Sequence, residues 1–142
     1  MSNILVVYWS GTGNTQAMAG AIAKGIEQAG AQPDLFAVGD TDVSAIQNYS
    51  KIAFGCPSMG DEVLEEYEFE PYFTSAEGLL AGKTIALFGS YGWGDGGWMR
   101  EWQQRVQNSG GILLEEGLIT LSAPDGEVLE KCSALGSKLA RS

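Results

Sequence analysis

A chain of 142 residues, 44% of them hydrophobic, is long enough to bury one hydrophobic core and short for two ordinary domains. Its formal charge of −10 argues against binding to nucleic acid or to an anionic membrane, because both require a surplus of lysine and arginine. We therefore expect a single domain over residues 1–142 whose partners have basic surfaces, although net charge also serves simply to keep a protein soluble.

The sequence shows no sign of export or membrane insertion. Residues 3–9 begin as an apolar strand without a basic leader, and no apolar run approaches the roughly 20 residues that span a bilayer. Cys56 and Cys132 form no CxxC pair and histidine is absent, which suggests neither a disulfide framework nor a metal site. We expect a cytoplasmic monomer whose chemistry comes from a bound cofactor.

Apolar runs alternate with segments of helical period, which is typical of βα units around a parallel sheet. Strands are predicted over 3–9, 34–38, 51–55, 84–89 and 111–121, and helices over 15–28, near 43–48, near 68–80, 97–107 and 125–141. In the first helix, Met18, Ile22 and Ile26 recur every four residues on one face. The strands are largely apolar and do not alternate cleanly with polar residues, as expected where helices cover both faces of a sheet.

Open parallel sheets bind ligands beyond the carboxyl ends of their strands, so the loops after the first, third and fourth strands form the candidate site. The first loop lies between a strand and a helix, where backbone N–H groups and the helix N-terminus can hold a phosphate. Its glycines allow a tight turn, and its hydroxyl and amide side chains add donors. The residues predicted to bind phosphate are Ser10, Gly11, Thr12, Gly13, Asn14 and Thr15.

This first loop lacks the residues of two common nucleotide motifs. It contains no lysine, which the GxxxxGK[ST] loop of nucleotide triphosphatases requires. Gln16 stands where the dinucleotide fingerprint GxGxxG needs its third glycine. The neutral donors favour a single terminal monophosphate, and the alternative is a glycine-rich turn without a ligand.

The other two loops each place one large side chain where packing into the core is not expected, Met59 after the third strand and Trp93 after the fourth. Such a pair can enclose a planar aromatic ring. Surface turns with incidental aromatic residues are the alternative. Cys56 is predicted to be a small buried residue, since Glu62 replaces the arginine of a Cys-x5-Arg phosphatase loop.

Three segments resemble flavodoxins of clostridia and related anaerobes: SGTGNT, the stretch containing GCPSMGDEVLEE and EFEPYF, and ALFGSYGWGDGGWM. They occur in the same order and at the same spacing, and the resemblance covers essentially the whole chain. It implies an α/β, flavodoxin-like, doubly wound sheet of five parallel strands in the order 2-1-3-4-5, with helices on both faces. It also implies non-covalent FMN and a short-chain member of the family.

The resemblance assigns the FMN phosphate to the first loop and the isoalloxazine ring to the space between Met59 and Trp93. It implies that Glu62 accepts a hydrogen bond from flavin N3–H and that the Gly60–Asp61 peptide faces N5. The predicted FMN-binding residues of the second and third loops are Ser58, Met59, Gly60, Asp61, Glu62, Ser90, Tyr91, Gly92 and Trp93. Contacts from Pro57 and from residues 121–123 stay open.

The implied function is low-potential one-electron transfer between protein partners, mainly between semiquinone and hydroquinone, and not catalysis. Gly60 can turn its carbonyl towards N5, because glycine accepts a positive φ without a Cβ clash. The alternatives are an FMN-dependent quinone reductase on the same fold and a flavin-free receiver domain.

Six acids stand within residues 61–70 with no base among them, namely Asp61, Glu62, Glu65, Glu66, Glu68 and Glu70. We expect them to disfavour a second negative charge on the flavin and to steer basic electron donors and acceptors towards it. A solvated start of a helix is the alternative for this cluster.

Overall fold

The computed structural model describes residues 3–142 of the chain. Within them, six strands form one parallel sheet: β1 (Asn3–Tyr8), β2 (Gln32–Ala37), β3 (Lys51–Gly55), β4 (Thr84–Tyr91), β5 (Ile112–Leu113) and β6 (Leu118–Leu121). The α-helices are α1 (Asn14–Gln28), α2 (Phe69–Ala76), α3 (Gly97–Asn108) and α4 (Gly126–Arg141), and 3-10 helices cover Val38–Asp40, Val43–Asn48 and Glu77–Leu79.

The sheet order β2-β1-β3-β4-β5 confirms the predicted doubly wound topology. The register places Val7 of β1 opposite Phe36 of β2 on one side and Phe54 of β3 on the other. The second strand begins two residues earlier than predicted, in spite of Pro33, because β2 lies at the edge of the sheet where a missing N–H is tolerated.

The predicted fifth strand over 111–121 is wrong in one respect, since two short strands share that position. Both β5 and β6 pair with β4, and residues 114–117 interrupt them. In this interruption Glu115 forms an ion pair with Lys138 of α4, and the Gly117 N–H donates to the Gln103 side chain of α3 at 2.6 Å. These contacts connect the interruption between β5 and β6 to α4 and α3.

Helices cover both faces of the sheet. Ile4 and Val6 of β1 point into the core beneath α1 and α4, while Leu5 and Val7 point into the core beneath α2 and α3. All four side chains are fully buried, which explains why the strand shows no alternation of apolar and polar residues. No helix in the described part of the chain has both the length and the apolar character needed to cross a membrane.

Glycine contacts bring α1 and α4 close together. A Cβ at Gly25 would overlap the Ser133 carbonyl, and one at Gly136 would overlap the Ile22 carbonyl. On the opposite face Trp102 packs edge-on against Phe69, with ring centroids 5.5 Å apart. These close contacts hold both helix layers against the strands whose carboxyl ends carry the candidate site.

Candidate functional site

An open cavity of about 260 Å³ lies beyond the carboxyl ends of β1, β3 and β4. Strand order reverses at β1, so this is the position where open parallel sheets bind their ligands. The volume is close to the roughly 300 Å³ of the smaller ligand sites. Its lining residues are Trp9, Ser10, Gly11, Thr12, Asn14, Thr15, Pro57, Ser58, Met59, Ser90, Tyr91, Gly92 and Ser122.

The first loop presents hydrogen-bond donors at the N-terminus of α1. Gly13 precedes the helix at φ 95°, in the left-handed conformation that glycine adopts readily. The Ser10 hydroxyl oxygen accepts the N–H groups of Gly13 at 3.1 Å and Gln16 at 3.3 Å. The N–H groups of Asn14 and Thr15 find no acceptor within residues 3–142, and the first turn contains no acid. This end of the helix therefore favours an anion.

Two buried hydroxyls form a polar floor between the first and third loops. Thr15 and Ser90 are both buried, their hydroxyl oxygens lie 3.3 Å apart, and both residues line the cavity. This contact joins the start of α1 to β4. Each hydroxyl retains further hydrogen-bonding capacity towards a ligand.

The second loop is a turn that is pinned at both ends. Met59 and Val63 exchange two backbone hydrogen bonds, of 2.8 and 2.9 Å, across Gly60, Asp61 and Glu62. Gly60 has φ 50° and Glu62 has φ 57°. Within residues 3–142 neither the Gly60 carbonyl nor the Asp61 N–H has a protein partner, so no hydrogen bond of the described chain fixes the peptide between them.

Glu62 connects the second loop to the third. Its Oε1 atom accepts the N–H of Gly97 at 3.0 Å and that of Asp95 at 3.3 Å, at the start of α3. A Cβ at Gly94 would overlap this carboxylate. Glu62 therefore does not line the cavity, and its Oε2 atom makes no hydrogen bond to the described residues.

The third loop contributes Tyr91 and Gly92 to the cavity, whereas Trp93 is 60% exposed and lies outside the lining. Gly92 does not have a positive φ, and a Cβ built on it would meet no atom within 4 Å. Neither backbone conformation nor packing therefore requires glycine at this position. The absence of a side chain leaves the backbone open to a ligand.

Cys56 is fully buried at the end of β3, which confirms the prediction for this residue. Burial raises the pKa of its thiol well above the usual range, which disfavours the thiolate that a nucleophile requires. Its Sγ atom instead accepts the backbone N–H of Glu65 at 3.4 Å.

The six acids of residues 61–70 differ in burial and in their hydrogen-bond partners. Glu65 is only 5% exposed, and its carboxylate accepts the N–H groups of residues 67, 68 and 69 at 2.8–2.9 Å. Burial by itself favours a higher pKa for Glu65, but these three donors outweigh it and hold the pKa below its usual range.

Glu70 forms an ion pair within the protein. Arg105 of α3 donates to both of its carboxylate oxygens at 2.8 Å, and this pairing lowers the pKa of Glu70. The acids of this segment that remain exposed are Asp61, Glu66 and Glu68.

Ten of the fifteen predicted residues line the cavity, and Gly13, Gly60, Asp61, Glu62 and Trp93 lie beside it. Sequence reasoning missed Trp9 as a site residue. Its indole N–H donates to Glu68 at 3.1 Å, and its ring lies 3.0 Å from where a Cβ on Gly11 would stand. Its position directly before the glycine-rich loop was the available signal.

Ser122 also lines the cavity, at φ 61°. Its N–H donates to the Tyr91 carbonyl at 2.7 Å, so the pairing of β6 with β4 brings it to the site. No local sequence pattern reports a positive φ at a serine.

Comparison with known proteins gives a consistent result. The family model described as Flavodoxin matches residues 6–136. A flavodoxin from Clostridium beijerinckii is 46% identical and the match covers 95% of this chain and 97% of that protein. One from Megasphaera elsdenii is 41% identical, covering 96% of this chain and 97% of that protein. The solution structure of two-electron reduced Megasphaera elsdenii flavodoxin matches with a TM-score of 0.89 over 98% of this chain and 99% of that one.

The agreement therefore extends over nearly the full length of both partners in each comparison, in sequence and in structure. The chain belongs to the flavodoxin family, whose members are FMN-binding electron carriers rather than enzymes.

Proposed function

We propose that residues 1–142 form a single domain that binds FMN in the cavity beyond β1, β3 and β4 and carries electrons one at a time at low potential. The observation that carries this proposal is the arrangement of that cavity. Neutral hydrogen-bond donors line one end of it, and Met59 and the open backbone of Gly92 line the other. FMN, when bound, supplies the redox chemistry, and the protein supplies binding, orientation and electrostatics.

The first loop suits the phosphate end of FMN. The free N–H groups of Asn14 and Thr15 and the positive end of the α1 dipole favour an anion. The Ser10 hydroxyl already accepts two N–H groups, so its proton remains available for a phosphate oxygen. Thr12 also lines the cavity and adds another hydroxyl. No lysine or arginine is needed for a phosphate held in this way.

The second loop suits the polar edge of the ring. We assign the hydrogen bond at flavin N3–H to the unused Oε2 atom of Glu62, whose other oxygen is held by α3. The Gly60 carbonyl is assigned to flavin N5, because no hydrogen bond of the described chain fixes the Gly60–Asp61 peptide. We assign Met59, which lines the cavity, to the inner face of the ring and Trp93, which is 60% exposed, to its outer face.

The exposed acids account for a low second reduction potential. Asp61, Glu66 and Glu68 lie on the surface beside the site and disfavour additional negative charge there. Glu65 keeps its charge as well, because its three backbone donors favour the ionised form. The contribution of Glu70 is smaller, because Arg105 pairs with it.

The same charges favour partners with basic surfaces, such as reductases and low-potential acceptors in the cytoplasm. Electrostatic attraction raises the rate at which such partners meet this chain, and salt weakens the attraction. We propose that the chain meets them as a monomer.

Titration of the apoprotein with FMN and with riboflavin tests the assignment of the cavity, using quenching of flavin fluorescence as the measurement. Thr12→Val is expected to weaken FMN binding and to leave riboflavin binding unchanged, because Thr12 is assigned to the phosphate alone. Met59→Ala is the matched variant at the ring, and it is expected to weaken both ligands. Equal affinities for FMN and riboflavin in the unmodified protein would contradict the proposed phosphate site.

A further inference from the structure

We propose that a groove beside Tyr67 is the short-range anchor for the electron-transfer partner, a basic protein that seats an apolar side chain in it. The Tyr67 groove is lined by Met59, Gly60, Val63, Glu65, Glu66 and Tyr67, and its volume is about 200 Å³. The inference rests on the proposed electron-transfer function and adds to it the contact that holds the partner after charge has attracted it.

The folded chain leaves the large side chain of Tyr67 almost entirely exposed. Its relative exposure is 88%, the largest among the exposed large hydrophobic residues within 3–142. Tyr67 is also one of the residues that line the groove. Tyrosine on a protein surface provides a large rigid contact area and a polar tip, which makes it a frequent anchor of protein interfaces.

The backbone beneath this ring is rigidly held. The Tyr67 N–H donates to Glu65 Oε2 at 2.8 Å, and the other carboxylate oxygen fixes the next two residues at the start of α2. Glu65 itself is buried, and its N–H donates to Cys56. A side chain presented on a fixed backbone loses less conformational entropy when a partner binds.

The opposite side of the groove is in direct contact with the FMN site. Met59 lines both the Tyr67 groove and the cavity assigned to FMN. Its backbone is held by the two hydrogen bonds to Val63. A partner side chain in the groove therefore lies one methionine side chain away from the redox centre.

The charges around the groove select the class of partner. Glu66, which lines the groove, is exposed, and so is Asp61, which follows the lining residue Gly60; no lysine or arginine is among the lining residues. The whole chain carries a formal charge of −10. The surface thus combines an apolar anchor with an acidic rim, which complements a basic surface that carries an exposed apolar residue.

The test measures electron transfer from the reduced, FMN-loaded full chain to cytochrome c, a basic haem protein, by stopped-flow spectroscopy over a range of ionic strengths. Tyr67→Ser is expected to lower the second-order rate constant about fivefold or more at every ionic strength, as loss of an interface anchor does. Tyr67→Phe keeps the ring and is expected to stay within twofold of the unmodified protein. Glu66→Gln is expected to lower the rate only at low ionic strength.

Ile112→Ser is the matched control, because Ile112 is exposed at the opposite end of the sheet, where β5 pairs with the first residues of β4. It is expected to leave the rate unchanged. FMN content and both potentials are measured for every variant, since Tyr67 does not line the FMN cavity and its replacement should alter neither.

The outcomes separate this inference from the proposed function. If the unmodified protein binds no FMN or transfers no electrons, the proposed function fails. If it does both and Tyr67→Ser behaves like the unmodified protein at all ionic strengths, only the anchor is refuted. A homodimer detected by sedimentation and dissociated by Tyr67→Ser would also refute it, because the occupant of the groove would then be a second copy of this chain.

Discussion

Replacement of Glu65 by glutamine is expected to destabilise the protein although it preserves the size of the side chain. The Oε1 atom of Glu65 accepts the N–H groups of Glu68 and Phe69 at 2.8 and 2.9 Å, and Oε2 accepts that of Tyr67 at 2.8 Å. A glutamine oxygen can keep the first two bonds. Its NH₂ group must then face the N–H of Tyr67, so two donors oppose each other and a buried charge-assisted bond is lost.

The expected cost follows from these contacts. Loss of one hydrogen bond to a charged group costs about 1.5–3 kcal/mol, and water can partly replace it because Tyr67 is exposed. We therefore expect Glu65→Gln to reduce the free energy of unfolding by about 1–3 kcal/mol at pH 7. Glu66→Gln is the matched control, since Glu66 is exposed and makes no hydrogen bond within residues 3–142; its effect should stay within about 0.5 kcal/mol.

Urea denaturation of the apoprotein at several pH values is the assay. The donors around Glu65 hold its pKa below the usual range, so its stabilising contribution is present above the pKa of the unfolded chain, roughly 4.3, and is lost as the pH falls through the folded value. The difference between the unmodified protein and Glu65→Gln should therefore shrink below about pH 4.3. Equal stability of the two proteins at pH 7, or an equal loss in Glu66→Gln, would refute this account.

Three further variants probe the site and its support. Gly60→Ala is expected to cost roughly 1 kcal/mol in urea denaturation, because Gly60 has φ 50°; a Cβ there meets no atom within 4 Å, so the penalty comes from the backbone alone. The same variant is expected to lower the first one-electron potential, and an unchanged potential would exclude the peptide rotation. Trp9→Phe removes the hydrogen bond from the indole N–H to Glu68 and should weaken FMN binding by about 1 kcal/mol, or about fivefold, in a fluorescence titration. Unchanged affinity would show that this hydrogen bond does not support the FMN site. Arg105→Ala should reduce the free energy of unfolding by about 1–2 kcal/mol at pH 7, and this loss should shrink as acid protonates Glu70. A loss that persists at low pH would show that the Arg105 side chain stabilises the protein by packing and not by its ion pair.

Much of the architecture was predictable because its signals are local. The period of Met18, Ile22 and Ile26 located α1 to within one residue at its start, and all three side chains are fully buried. The apolar runs located β1, β3 and β4 within two residues at each end. Predictions failed where distant residues intervene, as in the interruption between β5 and β6, where Lys138 and Gln103 bind residues 115 and 117.

In the candidate site, too, local features were predictable from the sequence and contacts between distant residues were not. The residues from Ser10 to Thr15 are contiguous, so one stretch of sequence contains the donors, the glycines and the start of the helix that a phosphate requires. By contrast, the sequence around Glu70 contains no base, and its partner Arg105 reaches it from 35 positions away. The linear count of acids therefore could not include the cation that pairs with Glu70.

The sequence by itself thus determined the order of the elements, the phosphate loop and the family, because each depends on residues that are close in the chain or on motifs in a known order. Only the tertiary structure decided which acids are buried or ion-paired, that Trp9 and Ser122 reach the cavity, and that Tyr67 lies beside a groove. Burial and hydrogen bonding decide these features, and both depend on segments that folding brings together from distant parts of the chain.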